Sequence, residues 1–119
     1  MIKYAIRLHK NKRDAVLIFH AAPDSEGHFQ WYITKHKNVV GQPIEDELYE
    51  SYIINTQRIK EEGYEGLYLY CKFTYLEANK ENTTEFIKLS SDINKIIESG
   101  TVFNEISTFD ENGKITSVL

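Results

Sequence analysis

Residues 43–63 read PIEDELYESYIINTQRIKEEG, and two periodicities compete within them. Ile44, Leu48, Tyr52 and Ile59 fall on one stripe, widened by Tyr49 and Ile53, as on an amphipathic helix. Pro43 suits a first turn, where a missing N–H has no intrahelical partner to lose. Glu45, Asp46, Glu47 and Glu50 complement the positive end of a helix dipole. Arg58 and Lys60 complement the negative end, and Gly63 is placed to stop the helix. Against this, the β-branched YIINT within the stretch pulls toward strand. The charge and cap pattern predicts one long helix over about 43–62.

The chain around it reads as strands. Residues 2–8 alternate, with Ile2, Tyr4, Ile6 and Leu8 on one face. DAVLIFH at 14–20 is a more fully buried strand, and FQWYITKH at 29–36 is a third. After the long helix, EGYEGLYLYCKFTYLE at 62–77 alternates but is apolar or aromatic on both faces. One face carries Leu67, Leu69, Cys71 and Phe73, which the helix would cover. The other carries Tyr68 and Tyr70, which reads either as cross-strand packing with wet hydroxyls or as a docking surface. Residues 84–89, TEFIKL, read as a strand before a short helix over about 91–99 with Ser91 as its N-cap. Asn112-Gly113 between two alternating runs is a hairpin signal. The expected architecture is therefore α+β. A single domain spans 1–119, with a mostly antiparallel sheet of about five to six strands under one long and one short helix.

The 119 residues suffice for one core without disulfide or metal staples. Cys71 is the single cysteine, which excludes an intrachain disulfide and a Cys-based metal site. The longest apolar run, Ala15 to Phe19, is too short to cross a bilayer, and MIKYAIRLHK lacks the apolar region of a signal peptide. These features suit a cytoplasmic protein.

Candidate chemistry is sparse. His9, His20, His28 and His36 match no metal-ligand spacing, and Cys71 reads as a small buried hydrophobe. Glu45, Asp46 and Glu47 are consecutive, so on a helix they would point around the cylinder rather than converge on one ion. There is no phosphate-binding loop and no nucleophile elbow. No cofactor and no catalytic group is expected. A nuclease using His20, His36 and Lys12, or an RNA-binding face built from Lys3, Arg7, Lys10, Lys12 and Arg13 with Tyr4, Trp31 and Tyr32, is the alternative.

Charge is the better guide to partners. The net charge is -4, but residues 1–40 hold seven basic and three acidic side chains, a net +4. The remainder holds seven basic and fifteen acidic side chains, a net -8. In general character the chain resembles small cytosolic inhibitors such as the immunity proteins of toxin–immunity pairs, a likeness of type that carries no residue across. The reading that follows is a protein-binding module that neutralises a basic partner, such as a nuclease toxin. Glu45, Asp46, Glu47, Glu50, Glu61 and Glu62 would steer that partner, and Tyr68 and Tyr70 would anchor it.

Overall fold

The second layer of the protein is a sheet rather than a long helix. A computed structural model describes residues 1–10, 15–93, 95, 107–109 and 115–118. The chain first forms an antiparallel hairpin of β1 (Lys3–Lys10) and β2 (Ala15–Ala22), with Tyr4 opposite Ala21 and Leu8 opposite Leu17. Next come β3 (Gly27–Thr34), the two-residue β4 (Gln42–Pro43) and β5 (Ser51–Asn55), followed by α1 (Thr56–Glu61). Then follow β6 (Tyr68–Tyr75), β7 (Glu81–Thr83), β8 (Ile87–Lys88), β9 (Ser107–Phe109) and β10 (Ile115–Val118). β9 and β10 form a two-stranded sheet of their own, and the remaining strands form two larger sheets, of which one has the order β1-β2-β5. The other has the order β4-β3-β6-β7, with β8 also pairing with β6. All pairings are antiparallel.

The two sheets close on a shared core. Tyr4, Ile6 and Leu8 of β1, Leu17 and Phe19 of β2, and Tyr52 and Ile54 of β5 form the first inner face. Trp31 of β3 with Leu69 and Cys71 of β6 form the opposing one, and Ile59 of α1 with Ile87 and Leu89 completes the cluster. Trp31 and Tyr52 meet between the sheets, their ring centroids 6.0 Å apart. The sheets are also joined at both margins. Residues 42–55 lie along β3 as β4 and then cross to β2 as β5. At the other margin the Ile2 N–H donates to the Thr83 carbonyl at 3.0 Å.

The long helix over 43–62 is therefore corrected: its first half is an edge strand, a turn and a second strand. Pro43 sits in β4 opposite Tyr32, at a sheet edge where a missing N–H is tolerated. Asp46 has φ 64°, a left-handed conformation that ends any helix and that Asp accepts more readily than most residues. From Ser51 the period is two. Tyr52 and Ile54 point inward at 2% and 1% exposure, while Ile53 between them is 55% exposed. Burial of two large side chains against β2 and Trp31 outweighs the small dipole and propensity terms that favoured helix.

Only the C-terminal part of the expected helix is helical. Asn55 caps α1 by accepting the Arg58 N–H at 2.7 Å, and Arg58 and Lys60 lie in its last turn. Gly63, at φ 73°, ends it, and the Tyr64 N–H returns to the Ile59 carbonyl.

Other boundaries shift less. Residues 78–84, for which the sequence pattern predicts no strand, contain β7, and within 84–89 only Ile87–Lys88 is strand. Residues 93 and 95 are helical, but 94 and 96–99 of the expected short helix lie outside the described residues. So does the Asn112-Gly113 turn, although β9 and β10 on either side of it pair antiparallel. No described helix is long and apolar enough to cross a membrane.

Candidate partner-docking surface

Between β4 and β5 the chain makes a loop, residues 44–50, whose backbone is fastened to the core; Ile44 packs against the core, and Glu45, Asp46, Leu48, Tyr49 and Glu50 are exposed. Gln30 of β3 is half-buried, and its Nε2 donates to the Trp31 and Ile44 carbonyls at 2.9 Å and reaches the Glu47 carbonyl at 3.5 Å. The Trp31 indole N–H donates to the Tyr49 carbonyl at 2.8 Å. The backbone N–H groups of Trp31 and Ala21 donate to the Glu47 and Glu50 carbonyls, and the Ile44 N–H donates to the Trp31 carbonyl. Both inner strands therefore hold the loop, so its shape is set before anything binds.

On this fixed backbone, Leu48 is 56% and Tyr49 72% exposed. These are the side chains that the helical stripe would have buried. Glu45, Asp46 and Glu50 are exposed and Glu47 is half-buried. Among the described residues none of the four carboxylates has a basic partner within ion-pair distance. With no helix over 43–50, the dipole explanation of these four charges is withdrawn. Only Asp46 keeps a local role, in its left-handed turn. Glu61 and Glu62 are exposed at the end of α1; Glu62 lies 3.7 Å from Arg58, and Glu61 accepts the Gln57 amide. Glu47 and Glu62 both push the Tyr64 hydroxyl upward, after the larger effect of desolvation.

Tyr68 and Tyr70 lie elsewhere, on the outer face of β6. The expectation that Tyr70 offers its ring to a partner is not met. At 4% exposure it is closed between Tyr32 and Phe86, with centroid distances of 5.1 and 4.2 Å, and its hydroxyl accepts the Gly41 N–H at 3.0 Å. Gly41 is required there, because a Cβ would collide with the Ile33 carbonyl. Lys72 completes the cover, with Nζ 5.1 Å from the centre of the Tyr32 ring and 3.8 Å from Glu81. Thus the second face of β6 is covered by the chain's own rings. Tyr68, half-buried between Thr34 and Lys88, keeps part of its surface open.

The sites of the alternative reading also separate. Tyr4 and Trp31 are buried at 6% and 0%, so neither ring can stack on a base, and Tyr32 is engaged with Tyr70. His36 follows β3, while His20 lies in β2 of the other sheet and hydrogen-bonds Ser51 Oγ through Nδ1 at 2.8 Å; Lys12 is outside the described residues. The His20–Ser51 contact has the reach of a nucleophile–base pair, but no described carboxylate orients the ring. Among the described residues no three His, Cys, Asp or Glu side chains are grouped to hold a metal ion. Cys71 is fully buried, and burial pushes its thiol up to about 12, the opposite of nucleophile activation.

Leu48 and Tyr49 are the docking candidates that the helical reading hid. The signal that exposes them is the YIINT run, which places the strand after them and leaves them in a turn. The chain matches no protein-family model, no curated protein and no solved structure.

Proposed function

We propose that the protein is a small binding module that docks a basic protein partner through the loop at residues 44–50, in the manner of an inhibitor or immunity protein neutralising a nuclease toxin in the cytosol. The observation that carries this reading is a loop tied to Gln30, Trp31 and Ala21 by its carbonyls that projects Leu48, Tyr49 and four carboxylates with no basic partner among the described residues. An unpaired acidic cluster steers a basic surface into contact and raises the association rate at low salt. A rigidly held Tyr and Leu supply desolvated contact area with little backbone entropy left to lose. Glu61 and Glu62 extend the acidic field. Tyr68 contributes at most its open edge, and Tyr70 acts by holding Gly41.

The test is capture of a partner from native extract followed by association and dissociation kinetics at two salt concentrations. Joint Glu45→Gln, Asp46→Asn and Glu50→Gln substitution slows association and flattens its salt dependence. Tyr49→Ala and Leu48→Ala raise the dissociation rate and leave association nearly unchanged. A captured protein with an acidic contact surface, or kinetics indifferent to all five positions, refutes the reading.

A further inference from the structure

Directly after the acidic loop, β5 forms the margin of its sheet. In the order β1-β2-β5 it pairs with β2 alone, and among the described residues no strand pairs with its other side. The hydrogen-bond phase shows which groups face that open side. The Ala21 N–H donates to the Glu50 carbonyl, so Glu50 is in a bonded pair with β2. In an antiparallel ladder bonded pairs recur every second residue. Tyr52 and Ile54 therefore turn their backbone groups toward Phe19 and Leu17, and Ser51 and Ile53 turn theirs outward.

Exposed edges are ordinarily protected by Lys, Pro, a bulge or a covering segment. Ser51–Asn55 contains no Lys and no Pro, and its register with β2 is unbroken. Ile53, 55% exposed, stands at the middle of the edge. The charge around it is one-sided. From Glu45 to Glu62 there are six acidic residues against Arg58 and Lys60, and Arg58 is already paired with Glu62. An incoming strand meets two open backbone positions, an exposed apolar side chain at the second of them, and carboxylates on the loop that precedes the first.

We infer that the partner docks by strand addition: an extended segment carrying Lys or Arg pairs with β5 through the N–H and C=O groups of Ser51 and Ile53, with its basic side chains against Glu45, Asp46 and Glu50. The inference rests on the docking reading above and adds its mode and the chemistry of the occupant. Backbone pairing supplies contact at any sequence. The alternation of basic and β-branched residues supplies selection, since one face of the added strand meets Ile53 and the end beside Ser51 meets the carboxylates of the preceding loop.

The experiment uses the whole protein and a synthetic capped peptide of alternating Lys and Val, about seven residues long, within the usual length of a strand. Its comparators are a peptide of the same charge with Gly in place of Val, and the Lys-Val peptide N-methylated at alternate residues. Binding is followed by amide NMR titration to about 1 mM, which detects even weak complexes. The Lys-Val peptide should slow hydrogen exchange at Ser51 and Ile53 about tenfold or more, and both comparators should bind at least about tenfold more weakly, a difference near 1.4 kcal/mol.

Ile53→Pro removes an outward N–H at an edge where Pro is tolerated, and should abolish the complex. Ile53→Thr keeps the N–H and should retain most of the binding. If Ile53→Pro fails to fold, exchange at Ser51 and Ile53 in the wild-type protein and the N-methylated peptide still decide. Binding without protection at these two amides, equal binding of the N-methylated peptide, or no binding at about 1 mM overturns strand addition. The charge-dependent kinetics of the captured partner test the docking reading separately. If the protein alone is dimeric with both amides already protected, the edge belongs to a second copy and the inference also falls.

Discussion

Gln30→Glu should loosen the loop at residues 44–50 without opening the core. The Gln30 amide is the donor for the Ile44 carbonyl and shares the Trp31 carbonyl, both at 2.9 Å. Replacing the NH2 by a carboxylate oxygen removes two neutral hydrogen bonds, about 1 kcal/mol each. It also turns an anion toward the Ile44 carbonyl, adding about 1 kcal/mol at a half-buried position. The expected loss is about 2–3 kcal/mol, a large part of the margin of a small domain.

The loss is also pH-dependent, and its sign can be worked out. Facing carbonyls disfavours the charged form, so the introduced carboxyl has a folded-state pKa above its unfolded value near 4.3. Below that unfolded value it is protonated in both states, and its O–H can again donate to Ile44, so the deficit is smallest there. The deficit grows as pH rises through the raised folded value. Urea midpoints across this range measure it, and amide exchange locates it. The Ile44 and Glu47 N–H groups, which bond to the Trp31 and Ile44 carbonyls, should exchange faster while the Leu69 amide stays slow. Unchanged exchange at Ile44 and Glu47 would refute the claim that Gln30 holds the loop. A parallel rise at Leu69 would refute the claim that the effect is local.

Leu69→Asp, at 0% exposure, should cost several kcal/mol or prevent folding, whereas Tyr68→Ser on the outer face should cost about 1 kcal/mol; denaturant melts of the two variants measure the difference. Glu65 accepts the Ser91 N–H at 2.6 Å and the Ser90 hydroxyl at 2.9 Å, and the Ser91 bond is the main reason its carboxyl lies below the usual range. The stability it adds is present above its unfolded pKa, near 4.3, and is lost as pH falls through the depressed folded value. Glu65→Gln should therefore flatten the acid limb of a melting-temperature profile. Cys71 should stay unreactive toward a thiol-disulfide reagent at pH 8 in the native protein and react fully in urea, because burial removes both access and thiolate. Rapid labelling of the folded protein would show that β6 opens.

Much of the sheet was legible because each strand buries one face. Tyr4, Ile6 and Leu8 alternate in the sequence as they do in the core. The inward face of the strand at 62–77 was equally readable, with Leu69, Cys71 and Phe73 at 0% exposure. What a single strand cannot declare is the identity of its cover. Leu69 and Cys71 need an apolar layer, and a helix stripe or the inner face of a second sheet satisfies them alike. That choice rested on 43–63, where the helix signals were an apolar stripe at helical spacing together with electrostatic terms, each of the latter worth about 0.3–1 kcal/mol. The strand signals there were Tyr52 and Ile54, which together bury far more apolar surface. The burial of Tyr70 was hidden for a similar reason. Phe86 lies sixteen residues away in the chain, and only pairing of β8 with β6 brings its ring onto Tyr70.

The same correction changes what the acidic stretch means. On a helix, Glu45, Asp46, Glu47 and Glu50 stabilise an N-terminus and need no other purpose, and Leu48 and Tyr49 are core. In the observed loop the four charges stabilise no helix, and Leu48 and Tyr49 bury little against the chain. Exposed as they are, Leu48 and Tyr49 contribute little to the core. Yet Gln30, Trp31 and Ala21 spend hydrogen bonds on fixing the backbone that carries them. Side chains of no structural use on a rigidly held loop are what binding requires, because a fixed anchor loses little entropy on contact. The edge of β5, which no other described strand pairs with, follows immediately in the chain, so the exposed Leu48 and Tyr49, the acidic residues and the open backbone fall within one run of eleven residues, Glu45 to Asn55. On the proposed reading, a partner with a basic extended segment would engage all three in one contact.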